Sequence, residues 1–127
     1  MSSKRVLMLS LVTLAAIVFV GCAPTMVGTN MGVYKGGKMY SVSDKDMDAV
    51  YEATLSAMDK LQLEVTDKAK DVFAAKVVAE SADGQKVVVK IKPLEDKTQY
   101  TIQVGSLGNK ERSEMLFTEI KNSLTGM

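Results

Sequence analysis

The most distinctive chemistry in this chain belongs to Cys22, the only cysteine among 127 residues that include no histidine and no tryptophan. Its thiol stands directly after an apolar run and Gly21, where a core has little use for it, so reactivity at sulfur is its expected role. One cysteine forms no internal disulfide, so an oxidising compartment is neither required nor excluded. The lack of histidine removes the commonest general base and metal ligand, and with it any Ser-His or Cys-His pair. CxxC, HExxH, glycine-rich phosphate-loop and EF-hand patterns are also missing. Asp44, Asp46 and Asp48 have the spacing of an acidic calcium run, but the glycine and closing glutamate of such a loop are not there. They fit better at the start of a helix, whose dipole favours negative charge. No cofactor and no metal is expected. A Ser-Lys or paired-carboxylate site stays open in principle, yet nothing points to an enzyme.

What precedes Cys22 reads as an export signal. Residues 1–5 contain Lys4 and Arg5 and no acid, and the 15 residues Val6 to Val20 are apolar or small, broken only by Ser10 and Thr13. A basic start, an apolar centre and a small residue before the cut are what a signal peptidase reads. A helix that spans a bilayer needs about 20 apolar residues, so the short run favours cleavage over a retained anchor. Phe19-Val20-Gly21-Cys22 resembles the bacterial lipobox; Phe19 departs from the usual leucine, while Gly21 and Cys22 fit. The resemblance implies cleavage between Gly21 and Cys22, a diacylglyceryl thioether on Cys22, and a further acyl chain, such as palmitate, on the new amine. Because Ala23 rather than Asp follows the cysteine, it also implies delivery to the outer membrane, facing the periplasm. Two or three acyl chains anchor stably, since each buried methylene contributes about 0.8 kcal/mol and one chain alone is marginal. The competing reading is an ordinary free thiol in a secreted protein.

Removal of residues 1–21 takes Lys4 and Arg5 with it and leaves 14 Lys plus Arg against 15 Asp plus Glu. That balance argues against a nucleic-acid partner, which calls for a basic excess. Residues 22–32 read as a tether, because Ala23 to Gly32 contains Pro, Thr, Asn and Gly with no helical or strand period. Residues 33–127 then suit one small domain with a modest core.

Within that domain, Gly36-Gly37 between Val33-Tyr34-Lys35 and Lys38-Met39-Tyr40 predicts a hairpin. A helix is expected over 44–60, capped by Ser43 and presenting Met47, Val50, Tyr51, Thr54, Met58 and Leu61 on one face. Four strands should follow, with inward sets Leu61, Leu63, Val65; Phe73, Ala75, Val77, Ala79; Val87, Val89, Ile91; and Tyr100, Ile102, Val104. Residues opposite one another in an antiparallel pair share a face, so loop parity is constrained. A three-residue loop at Ala82-Asp83-Gly84 sets Val77 opposite Val89 and Ala75 opposite Ile91. An even loop centres on Glu95-Asp96, and an odd one is expected around Lys68-Ala69-Lys70. Asn109 caps a second helix reaching Leu124, with Ser113, Leu116, Phe117, Ile120 and Leu124 on one face. The fold class is therefore α+β: a two-layer sandwich of an antiparallel meander sheet, an N-terminal β-hairpin and two amphipathic helices on one face.

These registers put Lys76 opposite Lys90 on the outer face of the sheet, with Lys86 and Lys92 on the same face. The simplest reading is a solvated surface. The functional reading is an anionic docking face for lipid headgroups, lipopolysaccharide phosphates or an acidic partner, since lysines near a charged membrane gain roughly 1 kcal/mol each. The stripe of Met47, Tyr51 and Met58 is expected to be core, methionine being a common filler of irregular gaps, rather than the lining of a ligand pocket.

The stretches MGVYKGGKMY, VYEATLSAMDKL and VGSLGNKERSEMLFTEI resemble a family of small bacterial lipoproteins whose domain has no assigned function. The resemblance implies a lipoprotein carrying one compact α+β domain, and supplies no active site. Two function classes follow. One is a lipid-anchored, non-enzymatic accessory module that binds another envelope protein. The other is a carrier or sensor of a small apolar or lipidic ligand between helices and sheet, which an apolar cavity of about 300 Å³ or more would favour.

Overall fold

The structure, a computed structural model, describes residues 31–126. The signal-like segment, Cys22 and the stretch to Asn30 lie outside the described residues. No helix among the described residues is long and apolar enough to cross a membrane.

Six strands form one antiparallel sheet: β1 (Gly32–Lys35), β2 (Lys38–Ser43), β3 (Glu64–Lys70), β4 (Ala75–Glu80), β5 (Lys86–Pro93) and β6 (Thr98–Val104), in spatial order β1-β2-β6-β5-β4-β3. Helix α1 (Met47–Lys60) separates the β1-β2 hairpin from the β3-to-β6 meander, and α2 (Lys110–Thr125) closes the chain. The hairpin joins the meander by pairing β2 with β6, so the sheet ends on β1 at one edge and β3 at the other. This is the α+β arrangement the sequence predicts. Pairing begins at Gly32, opposite Ser41, one residue inside the stretch read as tether.

Both helices cover the same face. Val50, Ala53, Ala57 and Met58 of α1 and Leu116, Ile120 and Leu124 of α2 are buried against Val77, Val89, Ile91, Tyr100 and Ile102 of the sheet. The predicted α2 is matched closely: Asn109 Oδ1 accepts from Arg112 N at 3.0 Å, and Ser113, Leu116, Ile120 and Leu124 are all buried. The start of α1 differs. Asp46, not Ser43, caps it, its Oδ1 accepting from Ala49 N at 2.8 Å. Ser43 is taken by β2, where it pairs with Thr98 and its Oγ accepts from Lys45 N at 3.1 Å. A strand residue held by its ladder cannot also set the geometry of a helix start, so α1 begins at Met47 rather than 44.

The end of α1 turns through Leu61 and Gln62. Leu63 N donates to Met58 O at 2.8 Å and Gln62 N to Asp59 O at 3.0 Å, with Gln62 at φ +58°. This is the paired hydrogen-bond cap usually built with glycine in the left-handed position. It places Leu61 and Leu63 before β3 rather than within it.

Two of the three predicted strand connections hold. Val77 pairs with Val89 and Ala75 with Ile91, and Gly84 N closes the Ala82-Asp83-Gly84 loop on Ser81 O at 2.9 Å with Gly84 at φ +84°. Ile91 pairs with Tyr100 across the Glu95-Asp96 turn, where Leu94 N donates to Lys97 O at 2.7 Å. The third is corrected: Lys68, Ala69 and Lys70 belong to β3, and the turn lies at Asp71–Ala74. Phe73, expected inward, sits on that turn and is 79% exposed. The cause is a bulge between Val65 and Asp67, which leaves Thr66 unpaired and reverses the facing of every later β3 residue. With parity shifted by one, a two-residue tip at Val72-Phe73 satisfies what an odd loop would otherwise have to supply.

Candidate functional site

The bulge turns Lys68 and Lys70 to the helix-covered side, opposite Val77 and Ala75. Lys70 Nζ reaches Asp48 Oδ1 of α1 at 2.9 Å and lies 5.1 Å from the centre of the Tyr51 ring. The hydrogen bond that Lys70 donates to the Asp48 carboxylate raises the Lys70 pKa above its ordinary value. Inward charges on an edge strand also discourage another strand from pairing there. Asp46 and Asp48 thus divide the work of the acidic run: Asp46 caps α1 and Asp48 holds Lys70.

The outer face carries the predicted lysines. Lys76 stands opposite Lys90, and the row continues through Ala69 on β3 and Thr101 and Tyr40 on β6 and β2. Lys92, one step along on the same face, pairs with Gln99. Lys86 lies on the same face, farther along β5. It faces Glu80, itself opposite Glu64, and the Val78–Val88 row lies between it and Lys90. A carboxylate opposite therefore balances Lys86, whereas Lys76, Lys90 and Lys92 face neutral or like-charged neighbours.

These three lysines line an open concavity of about 640 Å³ on the uncovered face, walled at one side by Phe73 and Ala74 of the β3-β4 turn. Asp71, the carboxylate on this rim, is engaged with backbone: its Oδ1 accepts from Phe73 N at 2.7 Å and Ala74 N at 3.0 Å. The only ion pairs among the described residues are Lys70–Asp48 and Arg112–Asp83, so the concavity presents three ammonium groups without a salt-bridged acid. Such a surface can attract phosphate or carboxylate groups; it has no aligned nucleophile and base with which to transform them.

A second hollow, of about 350 Å³, opens at the other end of the sheet, between the α1-β3 link, the β4-β5 loop and α2. Leu61, Leu63, Val87, Val104, Met115 and Leu116 line it. Arg112 sits at its mouth, donating from Nη1 and Nη2 to the two oxygens of Asp83 at 2.9 and 2.8 Å and from Nη1 to Gln85 Oε1 at 3.1 Å. This guanidinium, with Ser81 also donating to the carboxylate, holds the Asp83 pKa well below the usual range. Of the methionine stripe, Met58 is fully buried and Tyr51 nearly so, and neither lines this hollow. They are core.

Chain-level comparison bears on both segments. The model of a family described as protein of unknown function, DUF3568, matches residues 5–123. The chain belongs to that family. The DUF3568 match runs from Arg5 through Gly21 and Cys22 to Ser123 in the last turn of α2. Comparison with curated proteins found no match.

Sequence reasoning located Lys76, Lys90 and Lys92 but missed the exposure of Phe73 and two ion pairs. Phe73 was hidden by the bulge, although Asp71 two residues before it is a usual turn-starter. Arg112–Asp83 joins residues far apart in the chain, and Lys70–Asp48 depends on a facing that the bulge inverts. Neither pair leaves a local signature. Gly21 and Cys22 lie outside the described residues.

Proposed function

We propose that this DUF3568 chain is the precursor of a lipid-anchored cell-envelope lipoprotein, cleaved before Cys22 and acting as a non-enzymatic accessory module that binds an envelope protein. The observation that carries this reading is the Phe19-Val20-Gly21-Cys22 ending of an apolar segment headed by Lys4 and Arg5. The family match, which takes in that segment together with the folded domain, supports treating the two as one design. The outer membrane, facing the periplasm, is the proposed location, following from Ala23 after the cysteine.

The domain fits a scaffold role. Its core is filled, with Met58, Ile102, Ile120 and Val89 wholly buried, and its uncovered sheet face offers a charged surface. Intact-mass analysis of the protein purified from its native host tests the anchor. The expected species begins at Cys22 and carries diacylglyceryl and acyl mass, and Cys22→Ser should lose both the acyl mass and the cut before residue 22. A mature chain that begins elsewhere, or lacks the acyl mass, overturns the reading.

The hollow beside Arg112 favours a second reading, a carrier or sensor of a small amphiphile. Its volume of about 350 Å³ and largely aliphatic lining suit an acyl chain. Titration of the protein with a fluorescent fatty acid tests it: saturable binding abolished by Met115→Arg supports a carrier, and no saturable binding removes it.

A further inference from the structure

The strand registers sort the loops into two ends. The chain enters at Met31, whose carbonyl accepts from Ser41 Oγ at 3.0 Å, beside the end of β2. Because β2 ends opposite the start of β6, and β5 ends where β4 begins, the same end carries the Asp71–Ala74 and Leu94–Lys97 turns. The Gly36-Gly37 turn, the Ala82–Gly84 loop and Leu107 lie at the other end.

At the entry end, Val72 and Phe73 are 77% and 79% exposed, on a tip held by the two hydrogen bonds to Asp71 Oδ1. Met31 and Leu94 are also exposed there. Two adjacent bulky apolar side chains on a rigid hairpin tip, next to a concavity holding Lys76, Lys90 and Lys92, match the needs of a bilayer surface. The apolar pair can enter the acyl boundary while the ammonium groups meet headgroup phosphates. The acidic Glu95-Asp96 turn lies on the neighbouring hairpin and is repelled by the same surface, which tilts the sheet toward its β3-β4 corner.

We propose that the Val72-Phe73 tip and the Lys76–Lys90–Lys92 concavity form a docking surface for an anionic phospholipid bilayer. The proposal rests on the reading of Cys22 as the membrane-bound residue. Eight residues lie between Cys22 and Met31, so even a fully extended connection of about 32 Å keeps the entry end close to the bilayer that holds the lipid. Docking would direct Leu107 and the hollow beside Arg112 away from the membrane, toward soluble partners.

The chain contains no tryptophan and one cysteine, which makes the test direct. The mature chain, residues 22–127, holds every element of the fold and can be coupled through the Cys22 thiol to maleimide-bearing phospholipid in vesicles. A Phe73→Trp variant then reports on the tip and a Leu107→Trp variant on the far end. On phosphatidylglycerol-containing vesicles, emission from position 73 should shift to the blue and be quenched by acyl-brominated lipid, while emission from position 107 stays as in water. Adding Lys76→Glu with Lys90→Glu should lower the docked-to-undocked ratio by at least about thirtyfold, and high salt should act in the same direction. Equal, unquenched emission from both positions on anionic vesicles overturns the proposal and leaves this corner to a protein. Since the coupling is chemical, that result is independent of lipidation in the host, which the mass analysis reads separately.

Discussion

The backbones of Gly37 and Gly108 cross in direct contact, so that a methyl group on Gly108 would collide with the Gly37 carbonyl and sit 2.7 Å from Tyr34 Oη. Gly108 also holds φ +83°, a conformation costly for any residue with a Cβ. The crossing ties the loop before α2 to the β1-β2 hairpin. Gly108→Ala is expected to lower the unfolding free energy by roughly 3 kcal/mol, the left-handed cost and the steric clash acting together. Gly36→Ala provides the comparison: its φ is +61° but nothing lies within 4 Å of the added methyl, so about 1 kcal/mol is expected. Urea unfolding of both variants distinguishes them, and equal losses would show that the crossing contributes nothing.

Gln62 makes the opposite prediction. It occupies the left-handed cap position after α1 with φ +58°, and both cap hydrogen bonds come from backbone. Glycine meets this geometry without strain, so Gln62→Gly should raise stability by about 0.5–1 kcal/mol. A thermal midpoint that falls instead would mean the glutamine side chain contributes more than the strain it imposes.

Much of the frame was legible because local rules agreed with one another. Alternation in residues 87–91 and 100–104, turn chemistry at Gly84 and Glu95-Asp96, and the three-and-four spacing of Leu116, Ile120 and Leu124 all pointed to the same sheet and helix, and the registers follow them. The parity argument failed at one place because it assumed an unbroken ladder. Thr66 carries no mark that it will be left unpaired, since threonine is an ordinary strand residue. From that one residue follow the inward turn of Lys70, the outward placement of Phe73 and the shift of the loop. The outer lysines needed only the β4-β5 register and were found. Lys86 shares their face as the alternation predicts, with Glu80 opposite it.

The Arg112–Asp83 pair sets a pH dependence with a definite sign. Arg112 and Ser81 hold the Asp83 carboxyl below its usual range, so the ionised form is favoured by folding. The stabilisation is complete above the unfolded aspartate value of about 3.9 and is lost as pH falls from there through the folded value. Asp83→Asn should lower the melting temperature at pH 7 and bring the two proteins together in strong acid. Parallel melting curves from neutral pH downward would show that the pair, half exposed as it is, contributes nothing measurable.

Phe73 and Ile91 separate the surface role of the hairpin tip from the core. Alternation alone assigns both to the interior, yet Ile91 is 1% exposed between Ala75 and Tyr100, whereas Phe73 stands in solvent beyond the end of β3. Truncating Ile91 to alanine removes buried methylenes that the surrounding strands cannot replace, and should cost about 2–5 kcal/mol. Phe73→Ser removes a larger side chain but leaves the two Asp71 hydrogen bonds in place, since both are donated by backbone. It should change stability by no more than about 0.5 kcal/mol. Urea unfolding of the two variants would read the contrast. A large loss from Phe73→Ser would mean that the phenylalanine packs inward in solution, which would restore an unbroken β3 register and return Lys68 and Lys70 to the outer face.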